Sequence, residues 1–155
     1  MHNTQDNAGV VAPPPLLYLA ALLLSLIIHT RLPIPILPRM LRGFLSGLSI
    51  GVGGATAVIA MRMMRLAGTN VQPNQPTMSI LVDGPYSVSR NPIYISLTLF
   101  YSGLAMLINS IWPFMLLPVV VLIMNRGVID REERYLERKF GKVYTSYKER
   151  VHRWL

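Results

Sequence analysis

The chain contains no cysteine among its 155 residues, which excludes a disulfide framework, a thiolate metal site and a cysteine nucleophile. Charge is scarce as well. Only 14% of residues are charged and 52% are hydrophobic, against roughly 25% charged in a soluble domain, and the mean hydropathy is +0.41. Between Asp6 and Asp130 the single acidic residue is Asp83. This composition argues against a soluble, disordered or fibrous protein. There is no P-loop or dinucleotide glycine motif, and His2, His29 and His152 lack any pairing pattern for a metal, so no metal is expected.

What remains is an apolar body with a charged tail. The charged residues are concentrated from Arg126 to Leu155, where nine Lys/Arg accompany five Asp/Glu and supply half of the formal charge of +8. Aromatics interleaved with basic residues can bind nucleic acid, but those acids argue against it, and anionic lipid headgroups are the better match. Long apolar runs make a bilayer the natural solvent. Leu16–Ile28 follows three prolines and reaches the ~20 residues of a spanning helix only if the segment from Ala8 joins it. A signal peptide is the competing reading there, but no Lys or Arg precedes the run and no small-residue cleavage site follows it.

Gly43–Met61 carries no charge and ends at Arg62 and Arg65, an interfacial boundary. Its Gly43, Gly47 and Gly51 form a ridge, continued by Ala55, on which another helix or a second copy of the chain can pack, giving a possible homodimer. Ile93–Ile108 and Ile111–Met124 are separated by Asn109 and Ser110 and read as a helical hairpin, with Pro113 and Pro118 expected to kink its second arm. The expected fold is therefore an all-α integral membrane protein. It has about four transmembrane helices, plus one or two amphipathic C-terminal helices packed on a cytoplasmic loop. Twelve basic residues fall on the side of the tail and three on the other, which places loop and tail in the cytoplasm. No charged residue lies mid-span, which argues against a channel or transporter.

Two polar segments share that face. In the loop Gly68–Tyr94, Asp83-Gly84-Pro85 marks a tight turn. Asn91 is placed to cap a helix that starts at Pro92, and Arg90 stands beside that helix start. Free N–H groups at Asn91, Ile93 and Tyr94 would suit a carboxylate or phosphate. In the tail, Val128, Tyr135, Leu136, Phe140, Val143, Tyr144, Tyr147 and Val151 recur at helical spacing, broken near Gly141. Asp130, Glu132 and Glu133 place three carboxylates in four residues, with Arg131, Arg134 and Lys139 as expected neutralising partners.

The loop pattern T-x-x-x-P-x-x-x-T-x-x-x-L-V-x-G-P-Y-x-x-x-R-N-P-x-Y, Thr69 to Tyr94, and the tail pattern E-E-x-x-L-x-x-x-F-G-x-x-Y-x-x-Y, Glu132 to Tyr147, flank the hairpin in order. Together they resemble the isoprenylcysteine carboxyl methyltransferase and phospholipid methyltransferase families, over roughly the last 90 residues. The resemblance implies a membrane-embedded methyltransferase that uses S-adenosylmethionine without a Rossmann domain, with residues 1–66 as scaffold and 67–155 as catalytic core. It places the cofactor against Ser79, Ile80, Leu81, Val82, Tyr86, Arg90, Asn91, Pro92, Ile93, Tyr94 and Glu132. Asn91 stands where the carboxyl methyltransferases have histidine, and Val128 where they have an arginine that orients the substrate carboxylate; Arg126 is the nearby candidate for that contact. Glu133 is the candidate base for an amine acceptor. The implied activity is methylation of a lipid-like or prenylated acceptor, as in an isoprenylcysteine carboxyl O-methyltransferase, and the implied partner is a membrane lipid or lipidated substrate. The alternatives are a phosphatidylethanolamine N-methyltransferase and a non-catalytic membrane scaffold of the same fold.

Overall fold

The computed structural model describes residues 7–71 and 75–155; His2, Asp6 and the part of the loop at 72–74 lie outside the described residues. Among the described residues there are helices and no strands. The helices are α1 (Pro14–Arg31), α2 (Arg39–Leu66), the short α3 (Pro85–Val88), α4 (Pro92–Ile108) and α5 (Trp112–Ile123). A π-helical segment (Met124–Ile129) then continues α5 into α6 (Asp130–Phe140), and α7 (Lys142–Arg150) follows.

Among the described residues three helical runs are long and apolar enough to cross a membrane: Pro14–Arg31, Arg39–Leu66 and the continuous Trp112–Phe140. Pro92–Ile108, expected as a fourth span, is shorter. Leucines such as Leu19, Leu23 and Leu48 face outward, whereas Ser25, Ser46, Ser96 and Ser110 are wholly buried. That inversion is characteristic of helices whose surroundings are as apolar as their side chains, where close approach and interhelical hydrogen bonds replace the hydrophobic effect. α2 lies along α4, and α1 along α5. Ser49 Oγ donates to the Leu99 carbonyl at 2.8 Å, and the Tyr18 hydroxyl pairs with that of Thr98 at 2.7 Å.

The glycines that permit this approach differ from those expected. A Cβ on Gly53 would lie 3.1 Å from the Ser96 carbonyl oxygen, and one on Gly103 2.6 Å from Ile50 Cγ1. The ridge of Gly43, Gly47 and Gly51 has nothing within 4 Å, because α2 turns its Ser46, Gly53 and Ala60 face to the interior instead.

Asn109 and Ser110 do turn the hairpin. Asn109 adopts a left-handed conformation with φ 57°, and its side-chain oxygen accepts the N–H groups of Ile36 (3.0 Å) and Leu37 (2.9 Å). This ties the α1–α2 connector to the hairpin tip, helped by Trp112 Nε1 donating to the Leu32 carbonyl at 2.7 Å. Pro113 occupies the first turn of α5, where a missing N–H costs nothing, so of the two prolines only Pro118 is internal. The irregularity in this arm comes later, as the π-helical segment. Its Gly127 carbonyl accepts the Val11 N–H at 3.2 Å, so the chain ahead of α1 is laid across the far end of the bundle. That end also gathers the loop and the tail.

Candidate functional site

The loop reaches this end through a sharp turn. Gly84 has φ +57° and ψ −130°, a combination open to glycine, and it starts the single turn α3 that presents Tyr86. The backbone then extends through Ser89, whose Oγ accepts the Asn91 N–H at 3.1 Å, and enters α4 at Pro92. Asn91 precedes the helix as expected, but its side chain does not cap it. Its Nδ2 donates instead to the Arg153 carbonyl at 2.9 Å. Since the Asn91 N–H is used by Ser89 and the Tyr94 N–H by the Asn91 carbonyl at 3.0 Å, Ile93 alone remains of the backbone donors expected there.

Between this loop, the start of α4 and the inner faces of α6 and α7 lies an open-sided cleft with a volume of about 150 Å³. Ser79, Ile80, Leu81, Tyr86, Arg90, Asn91, Pro92, Ile93, Tyr94 and Glu132 line it. Val82 does not; it is 40% exposed on the outer side of the loop. Glu133 also borders the cleft, whereas Arg126 and Val128 do not. Arg126 is exposed and Val128 wholly buried in the core, since the π-helical segment turns neither toward the opening.

Tyr94 donates to Glu132 Oε1 at 2.5 Å. Glu133 is occupied differently. Its Oε1 receives Arg153 Nε at 3.0 Å and its Oε2 receives Arg153 Nη2 at 2.7 Å. Arg90 Nη1 lies 3.2 Å from Oε1 and Lys148 Nζ 3.4 Å from Oε2. A carboxylate held on both oxygens by cations is a poor proton acceptor, so this geometry speaks against Glu133 as a base. Nor are its partners those expected from helical spacing: Arg131, Arg134 and Lys139 are exposed, and Arg131 donates to the Gly9 carbonyl at 2.7 Å. Hydrogen bonds donated to Glu133 raise Arg153, and one donated to Glu137 raises Lys148, above their ordinary pKa values.

Burial pushes the phenols of Tyr86 and Tyr144 well above their usual range and that of Tyr147 up to about 12. All three stay neutral at physiological pH. Tyr147 donates to the Tyr86 carbonyl at 2.7 Å, fixing α7 against α3.

Several residues of the cleft were not among those expected for the site. Ala8 and Met64 reach it from the segment expected to be scaffold, and Thr69 and Tyr135 frame the loop. Thr69 Oγ1 accepts the Met78 N–H at 2.9 Å, and Tyr135 Oη accepts that of Thr77 at 3.2 Å. The tyrosine periodicity of the tail pointed to Tyr135, Tyr144 and Tyr147 as buried, without placing them on a cleft.

Two polar groups in this wall are buried without a hydrogen-bond partner among the described residues: the Tyr86 hydroxyl and Arg90 Nε. Arg90 Nη1, although near Glu133, is also not aligned to donate. Unmet polar groups of this kind are costly unless a ligand or water meets them. The rest of the wall is mainly apolar and aromatic, with Glu132, Glu133 and a few Ser, Thr and Asn side chains. A guanidinium, a phenol, a carboxylate at Glu132 and apolar surface from Ile80, Leu81 and Ile93 suit a molecule with a carboxylate, hydroxyls and a flat ring.

The profile of the phospholipid methyltransferase family matches residues 41–143. The chain belongs to that family. The match starts within α2 and ends in α7, so it contains the loop, the hairpin and α6. An uncharacterized protein of Haemophilus influenzae is 36% identical over 63 residues, which cover 41% of this chain and 100% of the relative. No solved structure matches the chain. This member of a methyltransferase family thus carries apolar helices consistent with a multi-pass integral membrane protein. Among the described residues no group of His, Cys, Asp or Glu is arranged to hold a metal ion.

Proposed function

We propose that this phospholipid methyltransferase family member transfers a methyl group from S-adenosylmethionine to a lipid amphiphile, with a phospholipid headgroup amine as acceptor. The observation that carries the reading is the pair of unmet buried donors, Tyr86 Oη and Arg90 Nε, facing one cleft with Glu132. When bound, the cofactor supplies a methyl carbon made electrophilic by a sulfonium. Arg90 holds its carboxylate as a charge-assisted pair. Glu132, oriented by Tyr94, accepts from the ammonium or the ribose hydroxyls, and Tyr86 donates to a remaining oxygen. The aromatic wall limits water, and the chain's main contribution is alignment of donor and acceptor.

A prenylcysteine carboxylate as acceptor is the less favoured reading. Neither Val128 nor Arg126 faces the cleft, so the guanidinium that would orient such a carboxylate is missing. An amine acceptor gives up a proton, and of the two carboxylates on the cleft Glu132 is the one outside the Arg90–Arg153–Lys148 group. Residues 1–66 then act mainly as scaffold and 67–155 as core, with Ala8 and Met64 lent across the division. The cleft end, with its basic surroundings, faces the cytoplasm. The acceptor enters from the lipid, and the open Gly43/Gly47/Gly51 ridge is available to a second copy. Nucleic acid and metal have no part in this reading.

The test is methyl transfer from labelled S-adenosylmethionine to bilayers with and without phosphatidylethanolamine, beside a prenylated cysteine. Label in the phospholipid supports the reading. Label in the prenylcysteine alone replaces the acceptor, and label in neither, from protein that does not bind the cofactor, favours the non-catalytic scaffold.

A further inference from the structure

The last described residues of the chain form a clamp on the cleft. The His152 carbonyl accepts the Arg90 N–H at 3.0 Å, the Arg153 carbonyl accepts from Asn91 Nδ2 at 2.9 Å and Ser89 Oγ at 3.2 Å, and Trp154 Nε1 donates to Asn125 Oδ1 at 2.9 Å. All three residues lie beyond the stretch matched by the family profile. The Arg153 side chain points the other way along α6, forking onto both oxygens of Glu133 and reaching Asp130 Oδ1 at 2.8 Å.

Charge accounting shows what this fork does. Around Glu133, with a side chain 6% exposed, stand Arg90, Arg153 and Lys148. Asp130 shares Arg153, and Glu137 holds Lys148 at 2.7 Å. Three cations therefore meet three carboxylates, and Arg90 touches only one of them, Glu133, in a poorly aligned contact. Because Arg153 takes the two well-aligned positions on that carboxylate, Arg90 meets Glu133 only through the unaligned 3.2 Å ion-pair contact of Nη1, and its Nε has no hydrogen-bond partner among the described residues. Without Arg153, Glu133 would be the closest strong acceptor for a guanidinium whose side chain is 9% exposed, and Arg90 would turn inward.

We propose that Arg153 is a positioning residue for the cofactor site. It saturates Glu133 so that Arg90 stays free to bind the carboxylate end of the cofactor. The proposal rests on the methyltransferase reading, since it assigns Arg90 to that carboxylate.

The test measures binding of S-adenosylhomocysteine and of 5′-methylthioadenosine, the same thioether nucleoside without the amino-acid end, to the full chain in nanodiscs. Wild type is compared with R153M, R153K and the double variant E133Q/R153M. Methionine keeps the aliphatic stem in place. The wild type binds both compounds. R153M loses about tenfold or more for S-adenosylhomocysteine, as loss of a charge-assisted contact requires, and stays within about twofold for methylthioadenosine. R153K keeps part of the lost affinity. E133Q/R153M recovers most of it, because an uncharged residue 133 no longer draws Arg90 away. A purely structural role for Arg153 weakens both compounds together and is not repaired by E133Q; that result, or an R153M indistinguishable from wild type, overturns the inference while leaving the methyltransferase reading intact. If R153M does not fold, the cycle runs on R153K and E133Q/R153K with the same two ligands, and equal losses for both ligands overturn it. A wild type that binds neither compound removes the methyltransferase reading and the inference with it.

Discussion

The Tyr94 hydroxyl donates to Glu132 Oε1 at 2.5 Å, joining the first turn of α4 to the first turn of α6 across the cleft. One side chain thus sets the direction of the carboxylate that faces the ligand. Tyr94→Phe removes the donor and keeps the ring. We expect S-adenosylhomocysteine affinity to fall about tenfold, the scale of one hydrogen bond to a charged group, with a lower melting temperature as well, since the buried Glu132 loses its donor. An affinity equal to wild type would show that Glu132 is oriented by something else.

Gly84 is the hinge of the loop, with φ +57° and ψ −130°, and a Cβ there would stand 2.7 Å from the Met63 sulfur. Gly84→Ala should cost about 1–3 kcal/mol of stability and displace Tyr86. The check is thermal unfolding in detergent alongside ligand affinity, both of which should drop.

Packing between α2 and α4 distinguishes two kinds of glycine. Gly53→Ala places a methyl 3.1 Å from a backbone oxygen that cannot move aside, and about 1 kcal/mol or more should be lost. Gly47→Ala meets open space and gains helix propensity, so its unfolding midpoint should match or slightly exceed that of wild type. Equal losses in both would mean that the ridge is covered, as it would be in a dimer.

At the opposite end of the bundle, Asn109→Ala deletes an acceptor of two backbone N–H groups and leaves alanine in a left-handed conformation. Two hydrogen bonds and the backbone strain together amount to about 2–4 kcal/mol. Lower stability with unchanged ligand affinity is expected, since no atom of the cleft is involved.

The helices, the hairpin turn and the break at Gly141 were legible in the sequence because each leaves a local trace: an apolar run, a polar pair, a glycine. Ten of the eleven positions expected for the cofactor line one cleft, and Val82 falls outside it, exposed on the far side of the loop. The partners of Glu133 were not legible. Helical spacing pointed to Arg131, Arg134 and Lys139, which lie on the outer face of α6, whereas Arg90, Lys148 and Arg153 arrive from the loop and from beyond Gly141 through the tertiary fold. The contribution of Ala8 was hidden for the same reason, as the segment ahead of α1 is held at this end of the bundle by the bond from the Val11 N–H to the Gly127 carbonyl. The glycine ridge showed a surface capable of close packing without showing which neighbour would use it.

The most direct test of the account is calorimetric titration of S-adenosylhomocysteine into the folded, detergent-purified protein, with Glu132→Ala in parallel. The account predicts one site per chain with micromolar affinity, weakened about tenfold or more by the substitution. A folded wild type that releases no heat and shows no binding, or a Glu132→Ala variant that binds as tightly as wild type, would contradict it.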